Sequence, residues 1–493
     1  MEMIIQGFAV LANVKMILIL FFGSALGIII GALPGLGPTS IGALLLPFTL
    51  SMQPIEAIIL LAAIYCSSMY GGSISAILVN TPGTPAAAAT TFDGFPLAQK
   101  GEAGRALGMA NFSSFIGGVF SLFVFVLAAP ALAKLAFKFG PPEYFALTIF
   151  SLSMLASISK GSPVKNLLGG AIGVFLSIIG LDYTTGAERF TFGIPSLIEG
   201  INFIPVMIGL FTISELLRQS TKLRDENIII ASKAMKLPSL ADFKRVWKTI
   251  LVSSGIGTFI GILPAEGGAV ASLIAYNEAK RWSENKDEFG EGSIEGIAAS
   301  ESANNAATGG AMVPTLALGI PGSSTTAIIL AGLIIHGIRP GPYLFQEQPT
   351  FLYAIFAGML VANILFFALG MLGAKLFSKI TLIPKSILWP AVLMLSTMGS
   401  YAINQNIVDV IIMILAGVIG FFLSRWGIVP APIVIGLVLG GSAEIALKQS
   451  MIIFEGNGLL FFTKPIAMAF FVLTFFVLFG RKVFQKLPFI KLK

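Results

Sequence analysis

Two stretches of this chain combine hydroxyls, an amide and broken backbone in a way that suits ligand binding. Asn80, Thr81, Pro82, Gly83 and Thr84 form one; Pro321, Gly322, Ser323 and Ser324 form the other. Proline interrupts a helix because it lacks an N–H and clashes with the preceding turn. A helix that restarts after such a break presents unpaired backbone N–H groups, which attract anions. A third stretch, ESANNAATGG, sets Glu301, Asn304, Asn305 and Thr308 on one helical face. Oxygen-rich sets of this kind suit a hard cation such as sodium. The same face could equally be interhelical hydrogen-bond glue, with Gly and Ser allowing close packing; spacing alone leaves both readings open.

The elements that must position these residues belong in a bilayer. Of 493 residues, 56% are hydrophobic and 11% charged, against about 25% charged in soluble domains. Apolar runs at 16–33, 115–133, 167–181, 410–423 and 466–479 approach the roughly 20 residues of a span. Trp247, Trp282, Trp389 and Trp426 lie at or near the ends of apolar runs, where interfacial aromatics belong. Continuous runs rather than alternation argue against a β-barrel. The expected fold class is an all-α polytopic membrane protein. Non-helical backbone at bilayer depth is tolerated only when it lines a cavity or is buried in protein, so both breaks are expected to mark a site.

Other features exclude chemistry. Cys66 is the only cysteine, so no internal disulfide forms, and His336 is the only histidine, so a histidine-rich metal site is out. No GxxxxGK[ST] stretch occurs, so no nucleotide-hydrolysing P-loop is expected. The net charge of +7 is concentrated in loops and at the C-terminus, which points to topology rather than nucleic acid. Glu2 is the only charge before Lys15, unlike a cleaved signal peptide; the first apolar run reads as a retained helix.

The chain repeats itself. GIIIGALPGLG from Gly27 resembles GTFIGILPAEGG from Gly257, and YGGSISAILVNTPGTP from Tyr70 resembles TGGAMVPTLALGIPGSS from Thr308. This match sets Cys66, Ser67 and Tyr70 opposite the face of Asn304, Asn305 and Thr308. The expected units are a first repeat at 1–217, a basic linker at 218–248, a second repeat at 249–455, and a C-terminal helix and tail at 456–493. Arg218, Lys222, Arg224, Lys233, Lys236, Lys244, Arg245 and Lys248 in the linker place it in the cytoplasm by the positive-inside rule. An odd number of crossings precedes it, so the duplication is expected to be inverted. Inverted repeats with discontinuous helices recur in secondary transporters, with substrate and ions at the midplane.

Other polar residues carry less. Glu266 follows Pro264 and reads equally as a cation ligand, a proton carrier or a hydrated acid. Asp93 and His336 follow the two breaks and read as loop or helix-cap residues. Lys100, Arg105 and Arg339 read as topological charges rather than carboxylate clamps. Gly83 and Gly322 are expected to be glycine for a positive φ or close approach to ligand.

GALPGLGPTSIGALLLPFT, YGGSISAILVNTPGTPAAAATTFDGFPLAQKGEAGRAL and ESANNAATGGAMVPTLALGIPGSSTTAIILAGLIIHGIRPGP closely resemble the large membrane subunit of the tripartite tricarboxylate transporter family, the TctA type. The resemblance covers nearly the whole chain. It implies a prokaryotic inner-membrane permease working with a small membrane subunit and a periplasmic solute-binding protein. It implies uptake of organic carboxylates such as citrate, driven by an ion gradient, with sodium as coupling ion and no ATP hydrolysis. Carboxylate would contact the two breaks, and sodium the Glu301–Thr308 face. A channel, or an intramembrane lipid-modifying enzyme, is the alternative class. Which carboxylate is carried stays open, since the binding protein would set specificity.

Overall fold

The computed structural model describes residues 2–158, 162–182, 185–220, 235–263, 267–380 and 385–486. Helices dominate. The first half contains α1 (Glu2–Leu11), α2 (Val14–Gly31), α3 (Pro38–Leu45), α4 (Pro54–Val79), α5 (Thr91–Leu97), α6 (Ala103–Ala136), α7 (Pro141–Ile158), α8 (Pro163–Ser177), α9 (Phe203–Met207) and α10 (Ser214–Ser220). The second contains α11 (Leu240–Ile262), α12 (Gly267–Trp282), α13 (Ile294–Leu318), α14 (Ser324–Ile335), α15 (Leu344–Glu347) and α16 (Pro349–Ile380). It ends with α17 (Lys385–Asn404), α18 (Ile407–Arg425), α19 (Pro430–Ile453) and α20 (Pro465–Lys486). Among the described residues, seven helices are long and apolar enough to cross a membrane. The protein is an all-α polytopic membrane protein. Two-residue strands at Gly180–Leu181 and Glu188–Arg189 pair antiparallel, so the apolar run at 167–181 ends in a hairpin rather than continuing as helix.

Local chemistry explains the central helices. Gln53 and Glu56 form a capping box at the start of α4, with Pro54 in the first turn, which satisfies N–H groups that the helix cannot. Ser293 caps α13 by accepting from the Gly296 N–H. Both helices stop the same way. Asn80 after α4 (φ 52°) and Gly319 after α13 (φ 69°) are left-handed caps, the conformation that ends many helices and that asparagine and glycine tolerate best. Each cap is followed after one residue by the Pro-Gly pair.

Packing repeats as well. α2 lies on α4, and α11 lies on α13. A Cβ on Gly27 would fall 2.8 Å from the Ile64 carbonyl oxygen, and one on Gly31 2.3 Å from that of Ser68. Gly257 and Gly261 stand in the same relation to Ala303 and Ala307. Small residues thus let both helix pairs approach closely. The α4 and α13 sides of these contacts (Ile64 and Ala303, Ser68 and Ala307) and the two caps share one offset between the halves. That offset pairs Tyr70 with Gly309, not Thr308, which corrects the sequence match by one residue. Tyr65 and Cys66 are therefore the counterparts of Asn304 and Asn305.

The halves interlock. α6 packs along α13, while α16 packs along α4. Between α4 and α13, Asn305 Nδ2 donates to the Cys66 carbonyl (3.1 Å) and Asn304 Nδ2 to the Met69 carbonyl (3.4 Å). Residue numbers rise on one helix as they fall on the other, so the two run antiparallel.

Candidate substrate and ion site

Both breaks reach one cavity of about 580 Å3. Pro82, Gly83, Thr84, Ser323 and Ser324 line it. Asn80, Thr81, Pro321 and Gly322 do not; they turn the chain back along its own helix. The Gly83 N–H donates to the Gly72 carbonyl (3.2 Å), and the Gly322 N–H to Thr315 Oγ1 (3.2 Å). Neither glycine has a positive φ. A Cβ on Gly83 would lie 1.8 Å from the Gly31 carbonyl oxygen, and one on Gly322 2.7 Å from Ala311 backbone. Close packing against neighbouring backbone is enough to require glycine at both positions, and the positive φ of the sequence expectation is absent.

Helix beginnings converge on this cavity. Gly37, Pro38 and Thr39 open α3, Gly267 to Ala269 open α12, and Ser323 to Thr325 open α14. Thr84 opens the 3-10 turn Pro85–Ala88. N-terminal backbone N–H groups carry partial positive charge, so their convergence favours an anion. Hydroxyls surround them. Thr39 Oγ1 is 2.8 Å from Thr325 Oγ1 and 3.2 Å from Ser324 Oγ. Ser323 is engaged in a capping box with Thr326, and Tyr65 Oη lies 3.4 Å from its Oγ. Thr84 Oγ1 is buried with no partner. Arg218, the one cation on the lining among the described residues, is held by Glu215 at 2.7 and 2.8 Å. Those bonds push its pKa above the ordinary arginine value despite burial.

Glu301, Asn304, Asn305 and Thr308 are all buried on α13, as the helical spacing predicts. They divide into two groups. Glu301 accepts from Thr90 Oγ1 and from Ser114 Oγ (2.9 Å), tying α13 to α6 and to the segment after the first break. Asn304 and Asn305 donate to α4 carbonyls, which leaves Asn304 Oδ1 and Asn305 Oδ1 buried without partners. Thr308 Oγ1 donates to the Asn305 carbonyl (2.7 Å). A Cβ added to Gly268, on the cavity wall, would sit 3.6 Å from Asn304 Oδ1. Unpaired buried oxygens are costly, and an unpaired amide oxygen next to the cavity wall, as Asn304 Oδ1 is, fits a hard cation. No group of three or more His, Cys, Asp or Glu side chains able to hold a metal occurs among the described residues.

Sequence reasoning overlooks Thr39, Tyr65 and Thr325. Gly-Pro-Thr before an apolar run marks a helix start, since proline suits the first turn; that signal stands at Gly37–Thr39. Glu266 and most of the linker (221–234) lie outside the described residues, as does the tail after 486. Lys100 donates to the Glu291 carbonyl (2.5 Å), and Arg105 pairs with Asp242 (2.6 Å) and Glu102 (2.7 Å). Neither lines the cavity.

No solved structure matches this chain. A relative from Agrobacterium vitis, "Uncharacterized 52.8 kDa protein in TAR-I ttuC' 3'region", is 40% identical over 447 residues, covering 91% of this chain and 89% of the relative. Another from Agrobacterium vitis, "Uncharacterized protein in TAR-II ttuC' 3'region", is 41% identical over 211 residues, covering 43% of this chain and 87% of the relative. The description "Tripartite tricarboxylate transporter TctA family" matches residues 17–435. With its broken helices, shared cavity and near full-length match, the chain belongs to the tripartite tricarboxylate transporter TctA family.

Proposed function

We propose that this chain is the large permease subunit of a binding-protein-dependent system that takes up tricarboxylates or related organic carboxylates across a prokaryotic inner membrane. The observation that carries this reading is the convergence of three helix N-termini, with Pro82, Gly83 and Thr84 after α4 and Ser323 and Ser324 after the second break, on one hydroxyl-lined cavity whose only cation among the described residues is already paired. Substrate carboxylates accept from backbone N–H groups at the starts of α3 and α14. Thr84, Thr39 and Ser324 hydroxyls complete their hydrogen bonding. Sodium sits against Asn304 Oδ1 and Asn305 Oδ1, one turn along α13 from Glu301, whose carboxyl is held by the Thr90 and Ser114 hydroxyls.

The repeats are inverted in this reading, which the antiparallel α4 and α13 and the matching caps support. Alternating access then moves one half against the other around the cavity. A periplasmic solute-binding protein delivers the substrate, and a small membrane subunit completes the complex. The 218–248 linker faces the cytoplasm.

Proteoliposomes with all three subunits test this. Uptake of labelled carboxylates should follow an imposed sodium gradient and stop when lithium or potassium replaces sodium. Asn304→Ala and Asn305→Ala should raise the sodium concentration for half-maximal uptake. Carboxylate flux without an ion gradient or binding protein would make the molecule a channel. Unchanged sodium dependence in both folded variants would return that face to packing.

A further inference from the structure

A second cavity, of about 590 Å3, lies between α11 and α12, away from the site above. Its two ends differ chemically. At the mouth, Lys244, Trp247 and Lys248 stand at i, i+3 and i+4 on α11, so they share one face, and all three are exposed. Trp282, at the end of α12, faces them across the groove and is 56% exposed. The floor is made by small and apolar residues, among them Ile256 and Ala275. Polar mouth and apolar floor follow the direction of a lipid, with headgroup outside and acyl chain within.

The charges at the mouth are unequally committed. Arg245 is held by Glu288 (2.6 Å) and Glu295 (2.8 Å), and Glu278 by Arg281 (2.8 Å). Lys244 and Lys248 make no ion pair among the described residues; Lys248 only stacks over the Trp247 ring at 5.7 Å. The lining carries as many acids (Glu278, Glu284, Glu295) as cations (Lys244, Arg245, Lys248), but Glu278 and Glu295 are engaged by arginines, so at the mouth the neighbouring Lys244 and Lys248 face Glu284 as the one unpaired acid among the described lining residues. Tryptophan seeks the interfacial layer, and basic pockets between membrane helices hold acidic headgroups.

We propose that the α11–α12 groove is a binding site for an anionic phospholipid. Lys244 and Lys248 hold the phosphate, Trp247 and Trp282 flank the glycerol region, and an acyl chain lies along the floor. The opposite end of α12 carries Gly267 and Gly268, which line the candidate substrate cavity. An occupied groove therefore braces a hairpin that forms part of that cavity wall.

Tryptophan quenching by brominated lipids tests this on the full-length chain in nanodiscs. Trp389→Phe and Trp426→Phe leave Trp247 and Trp282 as reporters. At equal mole fraction, brominated phosphatidylglycerol should quench severalfold more than brominated phosphatidylcholine. K244Q/K248Q should abolish that preference and K244R/K248R should keep it. K134Q/K138Q, which removes an equal charge elsewhere, should also keep it. Thermal unfolding of each variant shows that the fold survives. Equal quenching by the two lipids overturns the proposal and leaves the groove to a protein neighbour. A preference that survives K244Q/K248Q overturns it too.

Discussion

After each Pro-Gly break the chain reaches across to the other half, but it grips very differently at the two ends. After the first break, Asp93 is fully buried, and its Oδ1 accepts the N–H groups of Gly290 (2.8 Å), Gly292 (2.9 Å) and Ser293 (2.8 Å). These stand at the start of α13. After the second break, His336 reaches the segment before α4, where Nε2 lies 3.4 Å from Thr49 Oγ1. One clasp is a carboxylate in a nest of backbone donors; the other is a single long neutral contact. Hydrogen bonds to a charged group contribute about 1.5–3 kcal/mol and neutral ones about 0.5–1.5. Matching folds therefore need not open with equal ease. The Asp93 end should be the firmly closed one, and the His336 end the one that opens first.

The largest effect expected from any single change tests whether the breaks match in packing. Gly83→Ala drives a methyl group into the Gly31 carbonyl, while Gly322→Ala presses on Ala311 at a less extreme distance. Both should lower the folded yield and the unfolding temperature, Gly83→Ala more severely, because a 1.8 Å approach to backbone has no flexible neighbour to give way. Normal yield with lost transport in Gly83→Ala would show that ligand approach, not packing, requires glycine.

Next come the clasps. Asp93→Ala strands three backbone donors and should destabilise the protein by several kcal/mol, since each buried donor left unpaired costs about 1–3 kcal/mol. His336→Ala should cost about 1 kcal/mol or less. Unfolding temperatures of the two purified variants give the comparison. Equal losses would remove the asymmetry.

Smaller again are the hydroxyls at the two breaks. Ser323 caps α14, so Ser323→Ala should cost about 1 kcal/mol of stability. Thr84 Oγ1 bonds nothing, so Thr84→Val should leave stability unchanged or improved while weakening carboxylate affinity. Substrate binding and thermal unfolding, measured together, separate the two. A Thr84→Val variant that binds normally would remove that hydroxyl from the site.

Much of this arrangement is legible in the residues. Prolines beside glycine must break helices, and long apolar runs must span, because both follow from local backbone and solvent physics. The polar face of α13 follows from its period. α4 is harder to see, since Ser and Gly interrupt its apolar pattern; burial on all sides by α2, α13 and α16 replaces lipid contact. The partners of Glu301 are also hidden, because Thr90 and Ser114 meet it only through tertiary packing. Likewise, no local signal shows that Gly83 rests on α2, or that Asp93 serves a helix in the other half.

The smallest expected effect is a pH dependence of the weaker clasp. Thr49 Oγ1 donates to the Leu46 carbonyl (2.6 Å), so its hydrogen is committed and its oxygen receives the proton on His336 Nε2. Protonating the other ring nitrogen leaves that bond intact. What opposes protonation is burial, which lowers the His336 pKa below the ordinary histidine value. A depressed folded pKa means that the unfolded or opened state binds the proton more readily. Stability is then complete above the ordinary histidine pKa of about 6.5 and declines as pH falls through that value toward the folded one. Acid should loosen the His336 clasp through this residue and leave its partner clasp untouched by it. Leu46→Cys, buried in the same turn, in a Cys66→Ala background reports the opening through its rate of thiol labelling, corrected for the thiolate fraction at each pH. The corrected rate should rise modestly as pH drops from 7.5 to 5.5, ~2-fold for each 0.4 kcal/mol of lost closure. His336→Gln, which keeps a donor but does not titrate, should make it flat. A rate that rises equally in His336→Gln would assign the acid response to another group and leave the two clasps distinguished by strength alone.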